Sequence, residues 1–360
     1  MKSKGRKYIN IFFDNLIWVL VLIALFIFSL LSSSFRAPSN LVAIIYRQAP
    51  LGMLVIGQAF TMLTGNFDLS SESGYGLTAM VAGLLMASVT FGGLGLEVSP
   101  WISIPAMIAV GLLIGFINGF LVTKLRMNNL IVTIAMMLIL RGLVYIISPG
   151  ATTSFFPDGF TWLGAGVLVR IPYQNGTIAI HVATIFVLLA FIVAHIITRY
   201  TQFGRNMYAT GANPLAAQDA GIEVDKIIRQ VYLISGFCMA IAGLLAAGRA
   251  NAATPRLGSG LIFSIQAAAV IGGVSLFGGR GSMLGALGGL FLWAILDSGL
   301  SIMQVSPFWI ETSRGLLLLF AIGLDALKVR AQKQQIIKDT LAETTIGLKD
   351  VDSHSHVESF

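Results

Sequence analysis

A chain of 360 residues that is 56% hydrophobic and only 11% charged carries more apolar surface than one water-soluble core can hide, since soluble domains hold about 25% charged residues. The mean hydropathy of +0.84 makes it a polytopic membrane protein, and its net charge of +7 recurs between apolar runs instead of gathering into a nucleic-acid-binding patch. The single cysteine, Cys238, excludes an internal disulfide framework and a multi-cysteine metal site.

Residues 1–15 carry Lys2, Lys4, Arg6 and Lys7 and read as a cytoplasmic N-terminus. The apolar run that follows is long and lacks an A-x-A-like cleavage site, so it is read as a retained first span. Spans need about 20 mostly apolar residues. They are predicted at 16–35, 41–63, 74–90, 101–122, 130–148, 177–198, 227–248, 261–277, 283–303 and 308–327, about ten in all. Residues 328–360 form a polar tail, in which His354 and His356 read as solvated.

The order of the spans can be tested against charge. With the N-terminus inside, the inner segments hold Lys124 and Arg126, then Arg199, Arg205, Lys226 and Arg229, then Arg280, and lastly Lys328, Arg330 and Lys333. The outer segments hold few basic residues: Arg36, Arg170, Arg249 and Arg256, with Arg47 near an outer helix end. Inner loops of membrane proteins collect Lys and Arg. Both termini and the 199–229 stretch are therefore expected in the cytoplasm.

Between the spans, 64–76 and 270–282 are dense in Gly and Ser. Each is either a break lining a cavity or an ordinary interfacial turn. Glycines at 111, 115 and 119 recur every four residues, as close helix packing in lipid requires. Polar residues inside the predicted spans are few: Asn118, Arg141, Gln266 and Asp297. An ionisable residue in a span is a functional candidate by default, although Arg141 and Asp297 could instead be a structural pair or snorkel.

The long polar stretch 199–229 contains a short helix with both ends marked. Asn213 is a good N-cap, Pro214 suits the first helical position, and Gly221 suits a left-handed stop. About two turns of helix are unstable alone in water. Ala216, Ala217 and Ala220 give it flat faces, which suit either a capped surface loop or docking into a groove on another protein. On the docking reading Ala217 lies on the seated face.

No Walker A pattern, H-E-x-x-H or G-x-S-x-G occurs in the chain. Intramembrane proteolysis and acyl transfer lack their usual residues, and the spans hold no regular Asp, Glu and His series for a proton relay. No catalytic residue, cofactor or metal site is predicted.

Thr64-Gly-Asn-Phe-Asp-Leu-Ser70 resembles the [ST]-G-x-x-D-L-S motif of the permease subunits of bacterial ABC sugar importers, of the ribose, xylose, arabinose and galactoside type. Ile117 to Leu125, Ile131 to Thr133 and Leu140 to Leu143 are similar to that family. So are Phe203 to Arg205, Ala209 to Asn213, Ala216-Ala217, Gly221-Ile222 and Ala267 to Ser282. Ser71-Glu72-Ser73 depart from the family's usual V-G-S, and Phe263 and Gln266 stand where acidic residues are common.

The resemblance implies an all-α transmembrane bundle in the bacterial inner membrane. Its partners would be separate ATPase subunits, a second permease and a periplasmic or lipid-anchored sugar-binding protein. The short helix would be the ATPase-coupling helix, with Gly204, Gly211, Asn213, Pro214, Ala216, Ala217 and Gly221 in the coupling segment. Asp68, Asn118, Arg141, Gln266 and Asp297 are the expected substrate-path residues. The competing transport reading is a secondary carrier that works without an ATPase; a membrane-embedded enzyme would need a catalytic constellation that the chain lacks.

Overall fold

The computed structural model describes residues 16–173, 176–306 and 308–313, together with 315, 316, 319 and 323. The predicted N-terminal segment 1–15, half of the tenth span and the tail 328–360 lie outside the described residues. In chain order the elements begin with α1 (Leu16–Leu31), α2 (Pro38–Leu63), α3 (Ser71–Met86), α4 (Pro100–Thr123) and α5 (Asn129–Ile147). A strand β1 (Thr153–Ser154), α6 (Asp158–Ala165) and a hairpin of β2 (Val167–Tyr173) and β3 (Gly176–His181) follow. Then come α7 (Val182–Tyr200), α8 (Gln202–Ala212), α9 (Pro214–Asp219), α10 (Val224–Ala250), β4 (Ala252–Ala253), α11 (Leu261–Ile271) and α12 (Met283–Ile302).

Helix α10 is the axis of the bundle and packs against α2, α3, α4 and α6. Its approach to α4 depends on glycine. A Cβ at Gly111 would overlap the Gly236 carbonyl oxygen, and one at Gly236 would overlap the Gly111 carbonyl oxygen. In lipid this closeness matters more than burial of apolar area, because packing contacts, not water exclusion, hold helices together there. The predicted glycine stripe is thus the seam between two spans. On the far side of α2 lie α7 and α12, and α1 lies against α12 through Ile17, Val21, Ala24 and Phe28. Cys238 is buried in the core, as a small apolar side chain would be.

Among the described residues, α2, α4, α5, α7, α10 and α12 are the six helices long and apolar enough to cross a membrane. Four predicted spans are built differently. The first, expected at 16–35, is the 16-residue helix Leu16–Leu31. The third, expected at 74–90, is a 16-residue helix, Ser71–Met86. The eighth, expected at 261–277, is helical only over the 11 residues Leu261–Ile271. At 1.5 Å per residue that helix is roughly 16 Å long, about half the hydrocarbon thickness. The sixth begins five residues late, because residues 176–181 pair with β2 in an antiparallel hairpin with Ile171 opposite Ile178. The run Thr-Ile-Ala-Ile is apolar enough to read as the start of a span. However, its β-branched residues also suit a strand, and a partner of the same kind precedes it. The fold is mostly helical but not all-α.

Candidate functional site

The helix ends fix which loops meet. Residues 64–70 leave α2 and turn back into the bundle before α3 begins. Asp68 sits fully inside, 0% exposed. Its Oδ1 accepts from the Ser70 amide at 3.1 Å and the Ser70 hydroxyl at 2.6 Å, and its Oδ2 from the Ser235 hydroxyl of α10 at 2.7 Å. Asn118 of α4 donates to the Ser70 hydroxyl at 2.8 Å. Tyr232 donates to the Phe67 carbonyl at 3.0 Å, and Asn129 at the start of α5 donates to Asn66 at 3.0 Å. Irregular backbone inside a membrane bundle persists only if protein or water satisfies it. Here Tyr232 of α10 satisfies the Phe67 carbonyl, while Asn118 of α4 and Asn129 of α5 hold the loop through its side chains.

The second interrupted stretch lies beside the first. After α11 the chain turns through Gly272 to Ser282. Its Gly279 amide donates to the Leu63 carbonyl at 2.9 Å, at the end of α2. Tyr208 of α8 donates through its hydroxyl to the Gly281 carbonyl at 2.8 Å. Burial pushes the Tyr208 phenol up, against the opposing charge of Arg199. It therefore stays a donor throughout the ordinary pH range. Gly211 closes the junction: a Cβ there would overlap the Leu63 carbonyl oxygen and crowd the Gly279 amide.

The capped helix forms as its sequence dictates. Thr201 caps α8 by accepting from the Gly204 amide at 3.2 Å, and Gly204 is buried. Asn213 Oδ1 accepts from the amides of Leu215 and Ala216, both at 3.1 Å, with Pro214 at the first position. The stop is a Schellman motif. The Gly221 amide donates to the Gln218 carbonyl at 2.9 Å and the Ile222 amide to the Ala217 carbonyl at 3.0 Å. Gly221 itself has φ +82°. One expectation is corrected. Ala217 is not on the outer face; it is 4% exposed and turned into the chain, whereas Leu215 is 73% exposed. The capping residues set the helix axis, but which side faces inward depends on the seat beneath it, and the local sequence does not encode that seat.

Arg141 and Asp297 are not paired with each other. Arg141 Nη2 meets Glu72 Oε1 at 3.3 Å, while its Nη1 donates to the carbonyls of Pro255 at 3.1 Å and Leu257 at 3.0 Å. The other oxygen of Glu72 accepts the Ile262 amide at 3.2 Å, in the first turn of α11. Asp297 instead accepts from Gln48 of α2 at 3.0 Å. Gln266 lies on α11, which packs against α2, α3 and α12. Among the described residues its Oε1 is buried without a hydrogen-bond partner, and so are both side-chain polar atoms of Gln58 on α2. Gln58, Ser235 and Leu215 were not singled out by the sequence, and Glu72 was named only as a departure from the family's V-G-S, not as a site residue.

A helical membrane protein with two broken spans joined to a capped surface helix has the parts of a transport permease. The chain belongs to the permease family described as "Branched-chain amino acid transport system / permease component", matching it over residues 40–322. Relatives cover nearly all of it. The ribose import permease protein RbsC of Escherichia coli K12 is 32% identical over 332 residues, 90% of this chain and 98% of its own. RbsC of Bacillus subtilis is 32% identical over 309 residues, covering 85% and 90%. The galactose/methyl galactoside import permease protein MglC of Escherichia coli K12 is 31% identical over 322 residues, covering 88% and 94%. No solved structure matches the chain significantly. The protein is an ABC importer permease subunit, a multi-pass inner-membrane protein that works with ATPase and binding-protein partners.

Proposed function

We propose that this permease imports a sugar or a related small hydroxylated solute, that it acts as one of a pair of permeases, and that α9 is its contact with the ATPase. The observation that carries the coupling assignment is the wiring of 202–222. A capped helix with an exposed Leu215 is joined through Tyr208 and Gly211 to both interrupted stretches of the bundle. Push or pull on α9 therefore reaches 64–70 and 272–282 directly. Asn213, Pro214 and Gly221 hold the helix, Gly204 and Gly211 seat its approach, and Leu215 with Ala216 meets the ATPase. Support for a sugar comes from the ribose and galactoside permeases among the relatives.

On this reading both termini and residues 199–229 are cytoplasmic, and ten spans cross the membrane, some as a short helix with an irregular lead-in. Gln266, with its buried unpartnered oxygen, is the path residue we favour. Asp68 and Asn118 shape the inner end of the path, and Asp297 lies at its outer end. A solute rich in hydroxyls would satisfy such amides when the path opens. The permease performs no covalent step: ATP-driven closure of the ATPase pair favours one of two conformations. The test is reconstitution with the ATPase subunits and the binding protein in vesicles without an ion gradient. Uptake that follows ATP is expected. Uptake that ignores ATP and requires a gradient would make the chain a secondary carrier.

A further inference from the structure

Two short helices begin inside the bundle, and their first turns meet. Helix α3 starts at Ser71 after the buried loop, and α11 starts at Leu261 after an irregular lead-in. Residues 254–260 descend from β4, whose Ala253 pairs with Thr153. Glu72 belongs to the first turn of α3, yet its side chain accepts the amide of Ile262 in the first turn of α11. A carboxylate is well placed there, since helix N-termini carry unpaired amides and partial positive charge.

Arg141 completes the junction from α5. It neutralises Glu72 and holds the two carbonyls of the lead-in, at Pro255 and Leu257. The side chains of Arg141 and Glu72 are only 18% and 11% exposed. The four contacts tie α3, α5, the lead-in and α11 at one point. At its other end α11 runs straight into the turn whose Gly279 and Gly281 are bonded to Leu63 and Tyr208.

We propose that Glu72 and Arg141 form a latch that positions α11 as a connecting rod between the coupling segment and the middle of the bundle. Closed, the latch holds Ser264 and Gln266 of α11 buried. Released by a pull on the turn 272–282, α11 swings and those residues meet the aqueous path. The pair acts as a register device, the best-attested use of a buried ion pair, more than as a source of stability. Glu72 and Arg141 are positioning residues. The link to a pull from α9 rests on the coupling function proposed above; the latch itself does not.

The test reads α11 directly. In a Cys238→Ser background, Ser264→Cys places a reporter thiol on α11, and its labelling by a water-soluble maleimide is timed with the full chain in vesicles. Glu72→Ala and Arg141→Met are each expected to speed labelling roughly tenfold or more. Glu72→Gln, which keeps an acceptor for the Ile262 amide but loses the charge, falls between. The double variant Glu72→Ala/Arg141→Met labels no faster than the faster single, because the two side chains act as one unit. Unchanged labelling in Glu72→Gln and Arg141→Met overturns the latch, as does additive acceleration in the double variant. If Glu72→Ala fails to fold, Glu72→Gln and Arg141→Met decide alone. In the assembled transporter the same two variants should hydrolyse more ATP per solute moved. A chain that labels as expected but whose uptake does not respond to ATP in any variant would leave the latch standing and remove the coupling reading of α9.

Discussion

At the scale of single residues, the buried carboxylate Asp68 and the exposed Leu215 are the informative extremes. Asp68 gathers three hydrogen bonds from Ser70 and Ser235. Asp68→Ala leaves those donors buried without partners, which costs on the order of 3 kcal/mol. A lowered unfolding midpoint in detergent is expected; an unchanged one would mean that the loop repacks freely. Leu215→Asp changes an exposed side chain, so the folded permease should persist while binding to the ATPase is lost. Pull-down of the ATPase, with the unfolding midpoint as control, separates the two effects. Ala217→Arg should behave in the opposite way. It forces a large side chain beneath α9, where overpacking costs about 1–3 kcal/mol, so its first symptom is a looser 202–222 segment. If Ala217→Arg abolishes ATPase binding without any loss of protection there, the buried placement of Ala217 is wrong.

At the scale of elements, helix ends were legible and helix faces were not. Asn213, Pro214 and Gly221 act within a few bonds of their own backbone, so sequence alone located α9 to within a residue. The spans α2, α4, α5, α7, α10 and α12 were legible for the same reason that a membrane admits few alternatives. The hairpin 167–181 was not, because a strand is defined by its partner and an apolar β-branched run serves strand or span equally. The pairing of Arg141 was also hidden: Glu72 lies 69 residues earlier in the chain, and only the meeting of α3 with α5 brings it close. Gly221→Val tests the stop of α9. A β-branched residue is ill suited to φ +82°, so amide exchange across 214–222 should accelerate, whereas a tolerant turn would leave it unchanged.

At the scale of the whole molecule, the charge bias and the packing agree on which helix ends lie together. Arg126 beyond α4 meets Asp225 at the start of α10 at 2.8 Å, and both belong to segments read as cytoplasmic. Reporter fusions after Lys124, Gly211 and Lys328 should register inside and one near Asp158 outside. A cytoplasmic signal at Asp158 would invert the arrangement. The burial of the spans follows the same plan. The most apolar window of α10 is 83% buried and that of α5 only 22%, so α10 is the scaffold and α5 leaves most of its surface outside this chain's bundle.

The shortness of α11 bears on how the protein is made. A nascent chain is handed to the bilayer span by span, and roughly 20 apolar residues are needed to be released into it. The 11 residues Leu261–Ile271 fall well below that length, and an irregular lead-in has no place in lipid outside the cleft where Arg141 and Glu72 receive it. Chains released after residue 277 should therefore carry α11 still undelivered. Only after α12 has entered would the segment be drawn into a cleft that α2, α3 and α12 have already formed. Chains released at 277 and at 306 should differ sharply when a glycan acceptor placed at 257 is scored in a microsomal translation system.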